Sequence, residues 1–209
     1  MTIIIPGISE RKESELERKI AIVTPFVECI HLDVDDAMLS SSRTTLGMVV
    51  KKYPHVFFEA HCVDTKPELF VKTLSGLGFR RMIAPVECHD PREFISEARV
   101  FETEIGLSLD VETSLEEIEP FLEELDFVHI MTAGAFGMDQ PFEEETLAKI
   151  KSIHRNLPDL PIVAEGGMDE ETVKLVVDAG ATRIISASYI FQDEKTIGDH
   201  IEQLQALER

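Results

Sequence analysis

The chain has 209 residues, of which 44% are hydrophobic and 29% charged, a globular balance with enough apolar content for a sizeable core. Forty Asp and Glu stand against 20 Lys and Arg, and a net charge of −20 repels nucleic-acid backbones and anionic lipid, so neither is expected as a partner. No apolar run reaches the roughly 18 residues a membrane-spanning helix needs, and Met1-Thr2-Ile3-Ile4-Ile5 is too short for a signal segment.

No linker or low-complexity block divides the sequence, and residues 1–209 read as one domain. A short β-rich apolar run, a turn and a Glu-rich amphipathic stretch recur along it. The runs start at Ile3-Ile4-Ile5, Cys29-Ile30-His31-Leu32, Val56-Phe57-Phe58 and Arg81-Met82-Ile83. They continue at Ile105-Gly106-Leu107, Phe127-Val128-His129-Ile130, Pro161-Ile162-Val163 and Arg183-Ile184-Ile185. Helical spacing joins Leu115, Ile118, Leu122 and Leu125, then Leu147, Ile150 and Ile153, then Val173, Val176 and Val177. Ser114 with Glu117 fits a capping box, Gly180 stands where a helix C-cap belongs, and Pro120 interrupts the fifth helical pattern. Cys29, Cys62 and Cys88 have no metal-type spacing and read as reduced, mostly packed thiols of a cytosolic protein.

Eight strand–helix alternations in this length predict an α/β fold, a single (β/α)8 barrel. Gly78-Phe79-Arg80-Arg81-Met82-Ile83 echoes Gly180-Ala181-Thr182-Arg183-Ile184-Ile185, as two similar halves would produce. The competing architecture is an open doubly wound sheet, whose G-x-G-x-x-G after the first strand is missing.

In a barrel the chemistry sits at the C-terminal ends of the strands. The second strand ends Ile30-His31-Leu32-Asp33, so His31 and Asp33 share one face; the third ends Glu59-Ala60-His61 and the seventh Ala164-Glu165-Gly166-Gly167. Two imidazoles and two carboxylates make a nitrogen–oxygen site suited to a divalent transition metal. The alternative is a set of hydrogen-bonded strand-end histidines and helix-capping carboxylates. His55, His89, His154 and His200 read as surface or loop residues, and His129 as an interior polar residue. Gly166-Gly167 after the seventh strand and Ala187-Ser188 after the eighth occupy loops whose backbone N–H groups often bind phosphate in barrels, which needs no basic side chain.

These segments resemble the ribulose-phosphate 3-epimerase family. His31-Leu32-Asp33-Val34-Asp35-Asp36-Ala37 is similar to its second-strand H-x-D-V-M-D-G motif, and His61-Cys62-Val63 to its H-L-M. Met131-Thr132-Ala133 through Gln140-Pro141-Phe142 resembles its loop over the substrate; Glu165-Gly166-Gly167 its Asp-Gly-Gly; and Ala187-Ser188-Tyr189-Ile190-Phe191 its Gly-Ser-x-Ile-Phe. The resemblance implies a barrel, a divalent metal (zinc, iron or manganese) on His31, Asp33, His61 and Glu165, and inversion at C3 of a ketose phosphate such as ribulose 5-phosphate. It implies Asp33 and Glu165 as the acid/base pair, and Met131, Gly166, Gly167, Ala187 and Ser188 around the phosphorylated sugar. Inverting a carbon beside a carbonyl needs one group to take a proton and another to return one from the other side. A metal on the substrate oxygens would stabilise the charge between those steps.

The sequence departs from the family pattern at several positions. Glu165 stands for Asp, Asp35 and Val63 for Met, and Gly7 for Ser, while the loop reads Gly134-Ala135-Phe136-Gly137-Met138-Asp139. Two other functions stay open: a different lyase or isomerase for phosphosugars, and a barrel that binds phosphosugar without catalysis. The related hexulose-phosphate synthases carry D-x-K-x-x-D, whose lysine is missing from Asp33-Val34-Asp35-Asp36. The residues leave assembly into a homo-oligomer open.

Overall fold

The computed structural model describes residues 2–134 and 140–207. Each apolar run forms a strand: β1 (Ile3–Ile8), β2 (Cys29–Val34), β3 (Phe57–Cys62), β4 (Arg81–Pro85), β5 (Glu104–Leu109), β6 (Phe127–Met131), β7 (Ile162–Glu165) and β8 (Arg183–Ser186). The strands follow one another in chain order round a closed parallel barrel, so the fold is the expected (β/α)8 barrel. Strands of such a sheet are covered on both faces and therefore need apolar residues throughout rather than alternation. That is why β5 is buried from Ile105 to Leu109. Of the polar residues in the strands, His31, Glu59, His61, Arg81, Ser108, His129 and Ser186 are buried, while Asp33, Glu104, Glu165 and Arg183 are half-buried. Burying such groups is costly unless they are hydrogen-bonded or paired, so they mark where the barrel interior has a purpose other than packing.

The chain divides into two compact units, residues 7–107 and residues 1–6 with 108–209. In the first, helices α1 (Glu13–Val23), α2 (Asp36–Lys52), α3 (Glu68–Leu77) and α4 (Pro91–Val100) each bury one apolar stripe. Leu16, Ile20 and Val23 form that stripe on α1, and Phe94, Ile95 and Ala98 on α4. Asp90 starts α4 by accepting from the Arg92 and Glu93 N–H groups, with Pro91 preset in the first turn. β2 and β3 pair along their whole length, with His31 opposite Glu59 and Asp33 opposite His61, and β4 continues the first of these rungs by placing Arg81 opposite Glu59.

In the second unit, β6, β7, β8 and Ile3–Pro6 of β1 pair in sequence. Its helices are α5 (Leu115–Ile118), α6 (Thr146–Asn156), α7 (Glu170–Ala179), α8 (Ser188–Phe191) and α9 (Ile197–Gln205). The fifth helical pattern does not run on as one helix. α5 stops after one turn and Glu119–Glu124 continue as a 3₁₀ turn, because Pro120 has no N–H for the α-helical ladder. The expected capping box at Ser114 is a simpler cap, in which the Ser114 hydroxyl accepts from the Glu116 N–H. The full capping box belongs to α7, between Asp169 and Thr172. His200 is also not a surface residue. It is buried on α9, with its Nε2 3.2 Å from both Gln192 Nε2 and Thr196 Oγ1.

The sequence echo is a structural one. At Gly78 the N–H bonds Leu74 and Ser75 carbonyls and the next N–H returns to Leu74; at Gly180 the N–H bonds Val176 and Val177 and the next returns to Val176. The same helix-ending motif thus leads into β4 and into β8. Among the described residues no helix is long and apolar enough to cross a membrane. Cys29, Cys62 and Cys88 form no disulfide with one another.

Lys149 of α6 organises the segment after β5. Its ammonium donates to the carbonyls of Asp110, Val111 and Thr113, each at 2.7 Å. Lys149→Met fills similar space but leaves those carbonyls without their cation, which costs about 2 kcal/mol. The urea midpoint should fall with little change in slope, and an unchanged midpoint would show that the three bonds contribute nothing net.

Candidate functional site

The register of β2 and β3 builds the first half of the site. Asp33 and His61 form one rung, and His31 lies one rung below on the same face, since side chains alternate along a strand. Asp33 Oδ1 is 3.3 Å from His61 Nδ1 and 3.5 Å from His31 Nε2, and the two imidazole centroids are 5.7 Å apart. One ligand atom from each of the three residues lies within 4.8 Å of the other two. Burial alone would push the Asp33 carboxyl up; the hydrogen bonds and charges of His31 and His61 outweigh it and hold the group far below the usual carboxylate range. An anionic oxygen between two imidazole nitrogens fits a divalent transition metal well, so these residues suit the group the family pattern implies.

Behind this trio stand groups that the sequence reading did not single out. Glu59 is fully buried and its Oε1 lies 2.8 Å from His31 Nδ1. Its other oxygen accepts from Nη1 of Arg81, which is itself buried, and Arg81 Nε donates to Glu104 at 2.8 Å. Burial would raise the Glu59 carboxyl, yet the His31 hydrogen bond and the Arg81 charge pull it down to about 2. Asp35, where the family has Met, caps α2 through the Met38 N–H and pairs with Arg11 at 2.6 Å.

The second unit holds the other expected residues. Glu165 ends β7, opposite Met131 of β6 in the register, and its Oε2 lies 2.9 Å from Nε2 of the fully buried His129. The longer side chain that replaces the family's Asp therefore has a partner within reach. After Glu165 the chain turns sharply. Gly166 and Gly167 adopt φ of 115° and 64°, and a Cβ at Gly166 would fall 2.6 Å from the Ala133 nitrogen, so both the backbone angles and the close approach require glycine. Thr132 donates to the Gly166 carbonyl at 2.7 Å, and Thr172 to the Gly167 carbonyl at 2.7 Å. A trans peptide points its N–H opposite to its C=O, so tying both carbonyls inward turns the next two N–H groups, those of Gly167 and Met168, the other way. Ser186 of β8 donates to the Met168 carbonyl at 3.0 Å, and Ala187 and Ser188 follow it exposed. Of the loop 134–139, residues 135–139 lie outside the described residues.

Glu59 had a signal in the sequence: it precedes His61 by two positions and so shares its face. Arg81 and Thr132 had none, because their roles come from register and loop geometry.

The sequence profile of the Ribulose-phosphate 3 epimerase family matches residues 3–191. Ribulose-phosphate 3-epimerase of Schizosaccharomyces pombe is 28% identical over 196 residues, covering 90% of this chain and 86% of that protein. The Bacillus subtilis ribulose-phosphate 3-epimerase is 27% identical over 176 residues, covering 78% of this chain and 80% of its own. Among solved structures, a ligand complex of KGPDC from Streptococcus mutans superposes with a TM-score of 0.80 at 13% identity, covering 99% of this chain and 96% of that one. 3-Hexulose-6-phosphate synthase from Salmonella typhimurium gives 0.78 at 15%, covering 99% and 98%. At those identities the structures attest the fold.

The low Glu59 value has a consequence for stability. A carboxyl depressed in the folded state stabilises it above the unfolded value of 4.5 and loses that contribution as pH falls towards about 2. Acid titration of urea stability should therefore show a steep loss across this window. Glu59→Gln should flatten the slope, and an identical slope in the variant would contradict the assignment.

Proposed function

We propose that this chain, which belongs to the ribulose-phosphate 3-epimerase family, is a cytosolic enzyme that inverts C3 of a ketose phosphate such as ribulose 5-phosphate. The observation that carries the reading is the trio His31, Asp33 and His61, which sets two imidazole nitrogens and a carboxylate within one ligand sphere at the ends of β2 and β3. The proposed ligand set for zinc, iron or manganese is His31, Asp33, His61 and Glu165. When bound, the metal supplies a positive centre that lowers the cost of negative charge on the substrate oxygens.

The remaining chemistry belongs to the side chains. Asp33, anionic and held by two imidazoles, takes the C3 proton; Glu165 returns a proton to the opposite face of that carbon, and the roles exchange in the reverse direction. His129, through its contact with the Glu165 Oε2, keeps that carboxyl in one orientation. The N–H groups of the Gly166-Gly167 and Ala187-Ser188 segments are proposed to hold the phosphate, with Met131 lining the sugar. The inward-tied carbonyls of Gly166 and Gly167 support this. A phosphate held by backbone dipoles suits a protein whose net charge is −20.

Two carboxyls acting on opposite faces exchange the C3 proton with solvent. In D2O, ribulose 5-phosphate should give xylulose 5-phosphate carrying deuterium at C3. Asp33→Asn should abolish the exchange with the fold intact, since it removes basicity and keeps size. Glu165→Asp withdraws the carboxyl from His129 by about one methylene and should slow turnover roughly a hundredfold. Absence of exchange with any pentulose or hexulose phosphate, with metal supplied, would overturn the epimerase reading.

A further inference from the structure

We infer that Arg81 is a positioning residue for the candidate metal centre: acting through Glu59, it sets the orientation and tautomer in which His31 turns Nε2 towards Asp33. The inference rests on the metal reading above and names the residue behind it.

The geometry is a single rung across three strands. His31 of β2, Glu59 of β3 and Arg81 of β4 are register partners, so their side chains stand side by side in the barrel wall. His31 and Glu59 are wholly buried and Arg81 nearly so. A carboxylate only accepts hydrogen bonds, so Glu59 Oε1 at 2.8 Å from His31 Nδ1 requires a proton on Nδ1 and makes Nε2, turned towards Asp33, the nitrogen that gives up its proton to a metal. A histidine ligand needs that arrangement, and the group behind it governs how well the ring is aimed.

Glu59 can hold the ring only if its own plane is fixed. Arg81 fixes it. Nη1 binds the Glu59 oxygen that His31 does not use, while Nε and Nη2 reach Glu104 Oε2 at 2.8 and 2.7 Å. The guanidinium also lies against the Phe57 ring, 4.6 Å from its centroid. A planar fork can bridge two carboxylates at once, which the single ammonium of a lysine does not reproduce. Glu104 is 44% exposed in its side chain, so the chain of contacts runs from His31 in the interior to solvent at the start of β5.

The test uses Arg81→Lys, which keeps the charge and loses the fork, and Glu104→Gln, which loosens Arg81 from its exposed end and spares the buried pair. Imidazole ¹⁵N spectra of the metal-free protein, recorded at alkaline pH where the ring is neutral, report the His31 tautomer, and competition with a chromophoric chelator reports zinc affinity. The wild type should show a single Nδ1–H form of His31. Arg81→Lys should show mixed tautomers and zinc binding weakened about 10–100-fold, as for other groups that orient a metal ligand. Glu104→Gln should move both readouts the same way by less. Should Arg81→Lys fail to fold, Glu104→Gln decides the matter by itself. Wild-type tautomer and affinity in the folded variants would reduce Arg81 to a structural ion pair and overturn the inference. A wild type that binds no zinc would remove the metal reading, and the spectra of the metal-free protein would still decide whether Arg81 sets the His31 ring.

Discussion

Parallel pairing of β2 with β3 puts His31 beside Glu59 and Asp33 beside His61, and the chemistry proposed for the first unit depends on that register. A slip of one residue would turn these side chains from the barrel interior to the helix-facing side and leave charged groups in an apolar layer. The register therefore has two guarantors. Apolar burial of Ile30, Leu32, Phe58 and Ala60 holds the alternate positions outward, and the buried ion pairs hold the polar positions inward. Breaking a buried pair by removing one partner costs far more than the pair itself contributes, so such a network specifies an arrangement even where it adds little net stability.

In the second unit the phosphate site proposed above relies on backbone N–H groups, and the turn that carries them has to be tied down. Threonines do this. Thr132 and Thr172 each capture a glycine carbonyl of the turn after β7, and Thr172 also completes the capping box of α7. The turn thus ends a strand, starts a helix and orients two peptides with the same few side chains. His129 extends the pattern. A wholly buried imidazole in the middle of β6 is costly unless it is paired, and its Nε2 lies 2.9 Å from Glu165 Oε2.

Much of this was legible in the sequence, for identifiable reasons. Strands covered on both faces must be continuously apolar, so eight short runs were countable, and Gly180 announced a helix end that the chain indeed makes. His31, Asp33 and His61 could be found because a period of two puts His31 and Asp33 on one face and the barrel makes consecutive strands neighbours. Glu59 and Arg81 could not be assigned, since their partnership depends on which rung meets which, and a sequence does not display the offset between strands. His200 reads as solvated because a polar residue near the C-terminus shows no sign of burial until the α9 contacts around it are known. The helix expected through Leu122 and Leu125 failed for a local reason, Pro120, that the periodicity of the apolar residues does not register.

The proposed chemistry stands or falls on whether His31, Asp33 and His61 form a metal centre or only a hydrogen-bonded cluster. Elemental analysis of protein prepared without chelators, and again after dialysis against manganese, iron or zinc, tests it most directly. Close to one equivalent of divalent metal per chain is expected in the wild type and almost none in His61→Ala. A wild type that stays free of metal after every dialysis, while remaining folded, would contradict it.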